Sequence, residues 1–369
     1  MKGFKYALGI IFPVIGVLLF FVAFFVFLSS KTYITPIILI TVGALLIICS
    51  KNFRIKARQD YEFDKYGNSK KKYSSLSQED RKVIDMAIMA ENQTILSEAE
   101  FSSMLHPGSK NPDKELNDLI GLENVKETVE KLKAQMQFND RKNSKAFHMC
   151  FLGNPGTGKT TVAKILTGIL YKNKYIKKNE YICTDSATIM SAHDSRKMKL
   201  ILNKAHNRVL FIDEAYALAY DTSGAGQQIL AMLLNEMENS RDNMIVILAG
   251  YKNEMKMLFQ LNEGLASRIN TYLFFEDYDQ AEMSEILKGL ATKDGYLIES
   301  DAFEMLINVL LYKKCLPSFA NGRTVRKTYE KTLQNHYYNL SSGKLDKSYR
   351  FTITKEDVSD NDLEDKYLV

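Results

Sequence analysis

The chain has 369 residues, enough for two domains or for one large domain with attachments. Hydrophobic residues make up 46% and charged residues 25%, which excludes a disordered or collagen-like chain. The net charge is +5, but residues 1–58 hold seven Lys and Arg and no acid, so residues 59–369 carry −2 and lack the basic footprint of a nucleic-acid binder; no nucleic-acid partner is expected.

Tyr6 to Ser30 and Thr32 to Ser50 are free of charge and almost continuously apolar. About 20 such residues cross a bilayer as a helix. The sequence therefore predicts a transmembrane hairpin over residues 1–58, with spans at about 6–29 and 33–50 turned by Ser29–Thr32. A cleaved signal peptide fits less well, because the apolar core is too long and a second apolar stretch follows. Lys2 and Lys5 precede the hairpin and Lys51, Arg54, Lys56 and Arg58 follow it, so the positive-inside rule places both ends in the cytoplasm. A membrane is thus one expected partner, with the basic segment against anionic headgroups.

Residues 59–112 read as a polar linker. Ser77-Gln-Glu-Asp80 caps one short helix, a second runs from about Ser97 to Leu105, and His106–Asp113 is a breaker cluster. No chemistry is expected there.

His148–Leu152 is an apolar strand that runs into Gly153-Asn154-Pro155-Gly156-Thr157-Gly158-Lys159-Thr160, and a helix follows with Val162, Ala163, Ile165 and Leu166 on its apolar face. This is a P-loop in its strand–loop–helix context. Glycines let successive N–H groups wrap around phosphate oxygens, and the helix N-terminus favours an anion. Lys159 is placed to reach the β- and γ-phosphates and Thr160 to offer its hydroxyl to Mg²⁺. Arg208–Asp213 is a second apolar strand ending on an acid, about 50 residues after the loop. Asp213 is expected to face Mg²⁺, and Glu214 to polarise an attacking water. A GTPase is disfavoured because Asn203-Lys-Ala-His206 lacks the base-reading Asp.

Leu119–Lys126, GNPGTGKTTVAK, VLFIDEAYAL, LLNEMENSRDN, ILAGYKNEM, GLASRI and NGRTVRK occur in that order. Over about residues 113–340 the chain closely resembles the AAA+ ATPases of the CbbX / stage V sporulation protein K type. The resemblance implies an α/β P-loop module, a five-stranded parallel sheet between helices over 113–277, followed by a C-terminal helical lid over 278–342. Residues 343–369 are left as a tail, and its acidic stretch Glu356–Asp365 reads as solvated. The resemblance also implies ATP as ligand, bound by Ile120, Gly121, the loop from Gly153 to Thr160, and Thr161. It makes Glu214 the catalytic base, Asp213 with Thr160 the Mg²⁺ site, Arg268 an arginine finger and Arg323 the lid arginine, with Arg326 as its substitute. Guanidinium groups suit a phosphate that must be neutralised as it leaves.

Two features depart from the family. The usual polar residue after the fourth strand aligns near Tyr251, with Asn253 as the alternative. The family's pore-loop aromatic is missing from Thr188-Ile-Met-Ser-Ala-His-Asp194, where Met190 is the nearest bulky group. The expected activity is therefore ATP hydrolysis, coupled to remodelling of a client protein by a membrane-anchored homo-oligomeric ring, a hexamer by family habit. A bacterial plasma membrane, with the ATPase domain cytoplasmic, is the expected location. The competing expectation is an ATP-dependent membrane scaffold or switch with little hydrolysis and no threading.

The remaining cysteine and histidine residues carry no chemistry by pattern. Cys49, Cys150, Cys183 and Cys315 form no CxxC pair, and the five histidines show no metal-ligand spacing.

Overall fold

A computed structural model describes residues 95–138, 147–191, 196–240 and 243–358. The predicted hairpin over residues 1–58 and the predicted helix after Ser77 lie outside the described residues. Among the described residues no helix is long and apolar enough to cross a membrane. From Ala99 onward the chain folds as one unit.

In chain order the elements are α1 (Glu98–Met104), β1 (Leu105–Pro107), α2 (Pro112–Asn117), α3 (Glu123–Phe138), β2 (Met149–Gly153), α4 (Lys159–Lys172) and β3 (Glu180–Asp185). They continue with α5 (Ser186–Met190), α6 (Arg196–Ala205), β4 (Arg208–Asp213), α7 (Ala217–Tyr220), α8 (Ala225–Asn239), β5 (Met244–Gly250), α9 (Lys252–Leu261), α10 (Glu263–Arg268) and β6 (Thr271–Phe275). The lid holds α11 (Gln280–Asp294), β7 (Leu297–Ile298), α12 (Ser300–Lys314), α13 (Gly322–Ser341) and β8 (Thr352–Ile353).

The main sheet has strand order β1-β3-β4-β5-β2-β6. Five strands are parallel, as expected, and the central ones are the most apolar; β4 is buried over Val209–Ile212 and β5 at every residue, while β6 keeps Tyr272 and Phe274 exposed. In such a sheet the carboxyl ends of the strands form the ligand crevice. The P-loop leaves β2, Asp213 ends β4, and Tyr251 follows β5, all on that edge.

The sheet departs from the expectation by one strand. β1 pairs antiparallel with β3, Leu105 opposite Ile182 and Pro107 opposite Glu180, so the end of the predicted linker belongs to the core. A proline is tolerated here because the strand is at the sheet's edge. The preceding helix is fixed to the same side. Lys197, on α6, is buried and its Nζ donates to Glu100 on α1 and, at 2.8 Å, to Ser191 Oγ. Lys204 sits 4.2 Å over the ring of Phe101.

The lid opens with a capping box in which Asp279 accepts from the backbone N–H of Glu282, and the Glu282 side chain accepts from Asp279 N. The predicted tail over 343–369 is corrected for its first half. β8 pairs in parallel with β7, Ile353 and Val358 are buried, and Asp357 is fully buried rather than solvated. Asp357 takes hydrogen bonds from His336 Nδ1 at 2.9 Å, Asn339 Nδ2 at 2.8 Å and Thr354 N at 2.9 Å. The Thr354 hydroxyl adds a fourth at 3.2 Å, and these four donors replace the water that the buried carboxyl loses.

Candidate functional site

The P-loop is shaped by the lid as much as by its own turn. Gly156 has φ +73°, and a Cβ there would lie 2.1 Å from the carbonyl oxygen of Ala320, just ahead of α13. The backbone N–H of Gly322 donates to Gly156 O at 3.1 Å. Asn321 completes the junction with φ +49° and ψ −128°, a conformation that non-glycine residues rarely hold. Its side chain accepts from Tyr278 N at 2.9 Å and donates to Asp277 Oδ1 at 2.7 Å and Pro155 O at 3.3 Å. Asp277 also receives Asn154 Nδ2, at 2.9 Å on each oxygen. Loop, hinge and lid are therefore joined through one carboxylate.

Between them lies a cleft of about 540 Å³. Gly153, Pro155, Gly156, Gly158, Lys159, Thr160 and Thr161 line one wall, and Asp213 and Glu214 face them. Arg323 and Arg326 enter from α13, while Leu119, Ile120, Tyr278, Ile286 and Leu290 form a largely apolar end, with Asp118 beside them. Lys159 is 9% exposed, and its Nζ donates to Gly153 O at 2.8 Å and Asn154 O at 2.7 Å. Burial pulls its pKa below the ordinary 10.5; Asp213, Asp277 and Glu214 counter that pull, and Arg323 adds to it. The desolvated Lys159 ammonium is hydrogen-bonded here to carbonyls, and a polyphosphate suits both it and the lid arginines that enter the same cleft.

Glu214 takes φ +49°, the left-handed region that a long side chain avoids. It is held there by three contacts. Ser186 Oγ donates to its carbonyl at 2.9 Å, its own N–H donates to Asp213 Oδ1 at 3.0 Å, and the next residue's N–H reaches Ala249 O at 3.0 Å. The strained turn leaves the Glu214 carboxylate exposed on the cleft wall.

Residues 149–277 match the family described as "ATPase family associated with various cellular activities (AAA)", and residues 279–366 match the "AAA lid domain". Protein CbbX of Cereibacter sphaeroides is 34% identical over 68% of this chain and 86% of its own. Stage V sporulation protein K of Bacillus subtilis is 32% identical over 71% and 88%. The chloroplastic ribulose bisphosphate carboxylase/oxygenase activase of Cyanidioschyzon merolae is 33% identical over 74% and 98%. This chain belongs to the AAA family of ATPases. The crystal structure of the FIGL-1 AAA domain shares the fold, with a TM-score of 0.52 at 14% identity over 73% of this chain and 86% of that one.

In this AAA ATPase most of the sequence-predicted residues converge on the cleft, but four do not line it: Gly121, Asn154, Thr157 and Arg268. Gly121 lies against the lid's Glu282. Thr157 is buried, its hydroxyl spent on Asn154 O at 2.8 Å, and Asn154 is turned to Asp277. Arg268 ends α10, ahead of β6, and Thr271 of β6 pairs with Met149 at the start of β2. That is the end of the sheet opposite the P-loop, about 13 Å away over the four steps of β2 at ~3.3 Å each. Arg268 Nη1 donates to Gly264 O at 3.0 Å, Nη2 lies 3.4 Å from Glu238, and its buried Nε has no partner.

The AAA ATPase site also uses residues that the pattern did not mark. Tyr278, Ile286 and Leu290 follow the last strand and approach the loop only through the hinge. The signal for Ile286 and Leu290 was the apolar face of α11, which reads as ordinary helix core, and Tyr278 lies just ahead of that helix with no pattern of its own. Asn253 is exposed and does not line the cleft, whereas Tyr251 does.

Proposed function

We propose that this AAA ATPase is a membrane-anchored machine that binds ATP with Mg²⁺, works as a homo-oligomeric ring, and couples hydrolysis to remodelling of a partner protein. The observation that carries the ring is the placement of Arg268. Lys159, Asp213, Glu214 and Arg323 share one cleft, while Arg268 lies across the sheet from it and suits the ATP of a neighbouring copy. In this reading Lys159 and the loop N–H groups hold the phosphates. Glu214 accepts the proton of the attacking water, Arg323 neutralises charge from the lid side, and a second copy's Arg268 completes the site. Thr160 and Asp213 are the residues that would hold Mg²⁺, whose role is to offset charge between the β- and γ-phosphates. Among the described residues no cluster of three acidic, His or Cys side chains stands ready for a metal. That fits a cation whose remaining ligands are phosphate and water. The hairpin over residues 1–58 serves as the anchor, in a bacterial plasma membrane with the ATPase domain cytoplasmic. It confines copies to two dimensions and so favours ring assembly.

The test mixes Arg268→Ala, which keeps its own Lys159, with Lys159→Ala, which keeps its Arg268. Neither hydrolyses ATP alone, and mixed rings recover activity at interfaces that pair an intact Lys159 with an intact Arg268. Wild-type turnover by Arg268→Ala alone refutes the shared site. Reporters fused at both termini should be cytoplasmic; a C-terminal reporter outside refutes the topology.

One observation favours a second reading, an ATP-dependent scaffold that hydrolyses little. α5 carries no aromatic residue, Ile189 is buried, and Met190 is only half-buried. A client therefore lacks the ring on which the family's grip depends. Steady-state turnover separates the two: the remodeller loses it in Glu214→Gln, whereas the scaffold has little to lose.

A further inference from the structure

The loop from α4 to β3 lies at the end of the main sheet where the parallel strands begin, opposite the nucleotide cleft. It closes a stretch, residues 141–179, that holds nine Lys and Arg and no Asp or Glu. Lys172, Lys174, Lys177 and Lys178 crowd together there, and all four are exposed. Lys110, also exposed, follows Ser109, to whose carbonyl Asn179 Nδ2 donates at 3.1 Å. The loop is a fixed platform. Lys174 holds the left-handed φ +62°, and its N–H donates to Tyr171 O at 2.9 Å. Tyr175 N donates to Leu170 O at 2.9 Å, Lys178 N to Asn207 O at 3.1 Å, and Gly108 N to Asn179 O at 2.9 Å. Ile176 is buried beneath, and Tyr175 packs edge-on against Phe147 with centroids 4.9 Å apart.

The acids of α2 and of the start of β3 are matched to other cations. Asp113 meets Lys133 at 2.8 Å and Lys172 at 3.2 Å, Glu115 meets Lys164 at 2.9 Å, and Glu180 meets Arg208 at 2.8 Å. Among the described residues Lys110, Lys174, Lys177 and Lys178 have no ion pair. Four unpaired ammonium groups on a rigid backbone set up a field that calls for counter-charge from outside the chain. All are lysine, a point charge without the planar fork of arginine, which suits a diffuse array of phosphates better than one phosphate read in fixed geometry. Tyr171, 44% exposed in the last turn of α4, adds an amphipathic ring of the kind that settles at a membrane–water interface.

We propose that this loop is a membrane-contact surface of the ATPase core, Lys110, Lys174, Lys177 and Lys178 binding the anionic headgroups of the leaflet. This rests on the reading of the chain as membrane-anchored. Four lysines are a weak site for a chain free in solution, but one already confined to a bilayer meets headgroups at a high effective concentration. The contact turns the strand-start end of the sheet toward the lipid and leaves the nucleotide cleft on the far side.

The test is lysine acetylation, read residue by residue by mass spectrometry, on the full-length chain in nanodiscs of phosphatidylcholine alone or with about a third phosphatidylglycerol. In the anionic discs Lys110, Lys174, Lys177 and Lys178 should react ~5-fold more slowly than in the neutral ones, the change expected of one headgroup contact per lysine. Lys344, exposed in the lid, should keep its rate. The protection should vanish in ~1 M salt, where screening acts within ~3 Å. The combined variant Lys174→Gln, Lys177→Gln and Lys178→Gln touches nothing in the cleft, so it should keep wild-type ATP turnover in detergent while losing the protection of Lys110. Equal rates in the two discs, or protection that survives the salt, overturns the headgroup contact. Protection that is as strong in neutral discs assigns the loop to a protein partner and overturns it too. Full protection of Lys110 in the combined variant refutes a shared patch. If the chain does not enter neutral discs at all, the anchor reading falls and takes this assignment with it.

Discussion

Replacing Asn321 with alanine perturbs the junction of loop, hinge and lid at a single buried side chain. The change leaves Tyr278 N without its acceptor and takes from Asp277 the donor at 2.7 Å. An unpaired buried donor costs ~1–3 kcal/mol and a hydrogen bond to a charged group contributes ~1.5–3 kcal/mol, so the local cost is about 3–4 kcal/mol once overlap between the two is allowed for. Alanine must also hold φ +49° and ψ −128°, whereas glycine holds them freely. Relief of that strain is worth ~1 kcal/mol or more, so Asn321→Gly should be the milder change despite being the larger truncation. Hydrogen exchange reads this directly, because Tyr278 N–H is protected by the bond in question. Its protection should fall ~10²–10³-fold in Asn321→Ala and about tenfold less than that in Asn321→Gly. A loss below ~10-fold in the alanine variant, or a glycine variant worse than alanine, refutes the reasoning that the strained turn is held by these hydrogen bonds.

Lys159→Ala should abolish ATP binding in a fluorescent-nucleotide titration, because backbone donors alone do not replace a buried cation at the phosphates. The pH dependence carries a defined sign. Lys159 has a folded pKa below its ordinary 10.5, so ATP affinity should decline as pH rises through that lowered value, before free lysines discharge. For the chain without nucleotide the same group adds stability as pH rises between the folded value and 10.5, because the unfolded chain binds the extra proton there. Lys159→Arg stays charged and should show no such affinity step in a titration over the same range. Thr160→Ala and Asp213→Ala should raise the Mg²⁺ concentration needed for half-maximal turnover, measured by Mg²⁺ titration at fixed ATP.

The P-loop, the strand ahead of it and the apolar strand ending on Asp213 were legible because each is a local pattern with one physical cause, whereas the five-stranded parallel sheet was expected only from the family resemblance. A glycine-rich turn between strand and helix, or an apolar run ending on an acid, needs no distant partner to be read. β1 and β8 escaped because strands of three and two residues have no period, and their partners β3 and β7 supply all their order. Asp357 read as solvated because nothing local announces His336 and Asn339 as its donors. Asn154 read as a phosphate-loop residue, yet its amide is committed to Asp277, more than a hundred residues on. Tyr251 was in the right place by alignment, but whether it or Asn253 faces the cleft depends on where α9 begins, which the sequence leaves open by a residue or two.

The edge strand has a mechanical side. A pull at the N-terminal end of this unit meets α1 first and then β1, whose ladder with β3 ties it to the main sheet. α1 sits in the same line of force, and Lys197 ties its Glu100 to Ser191 at the end of α5. Tension that reaches α1 is thus passed through Lys197 to Ser191 at the end of α5.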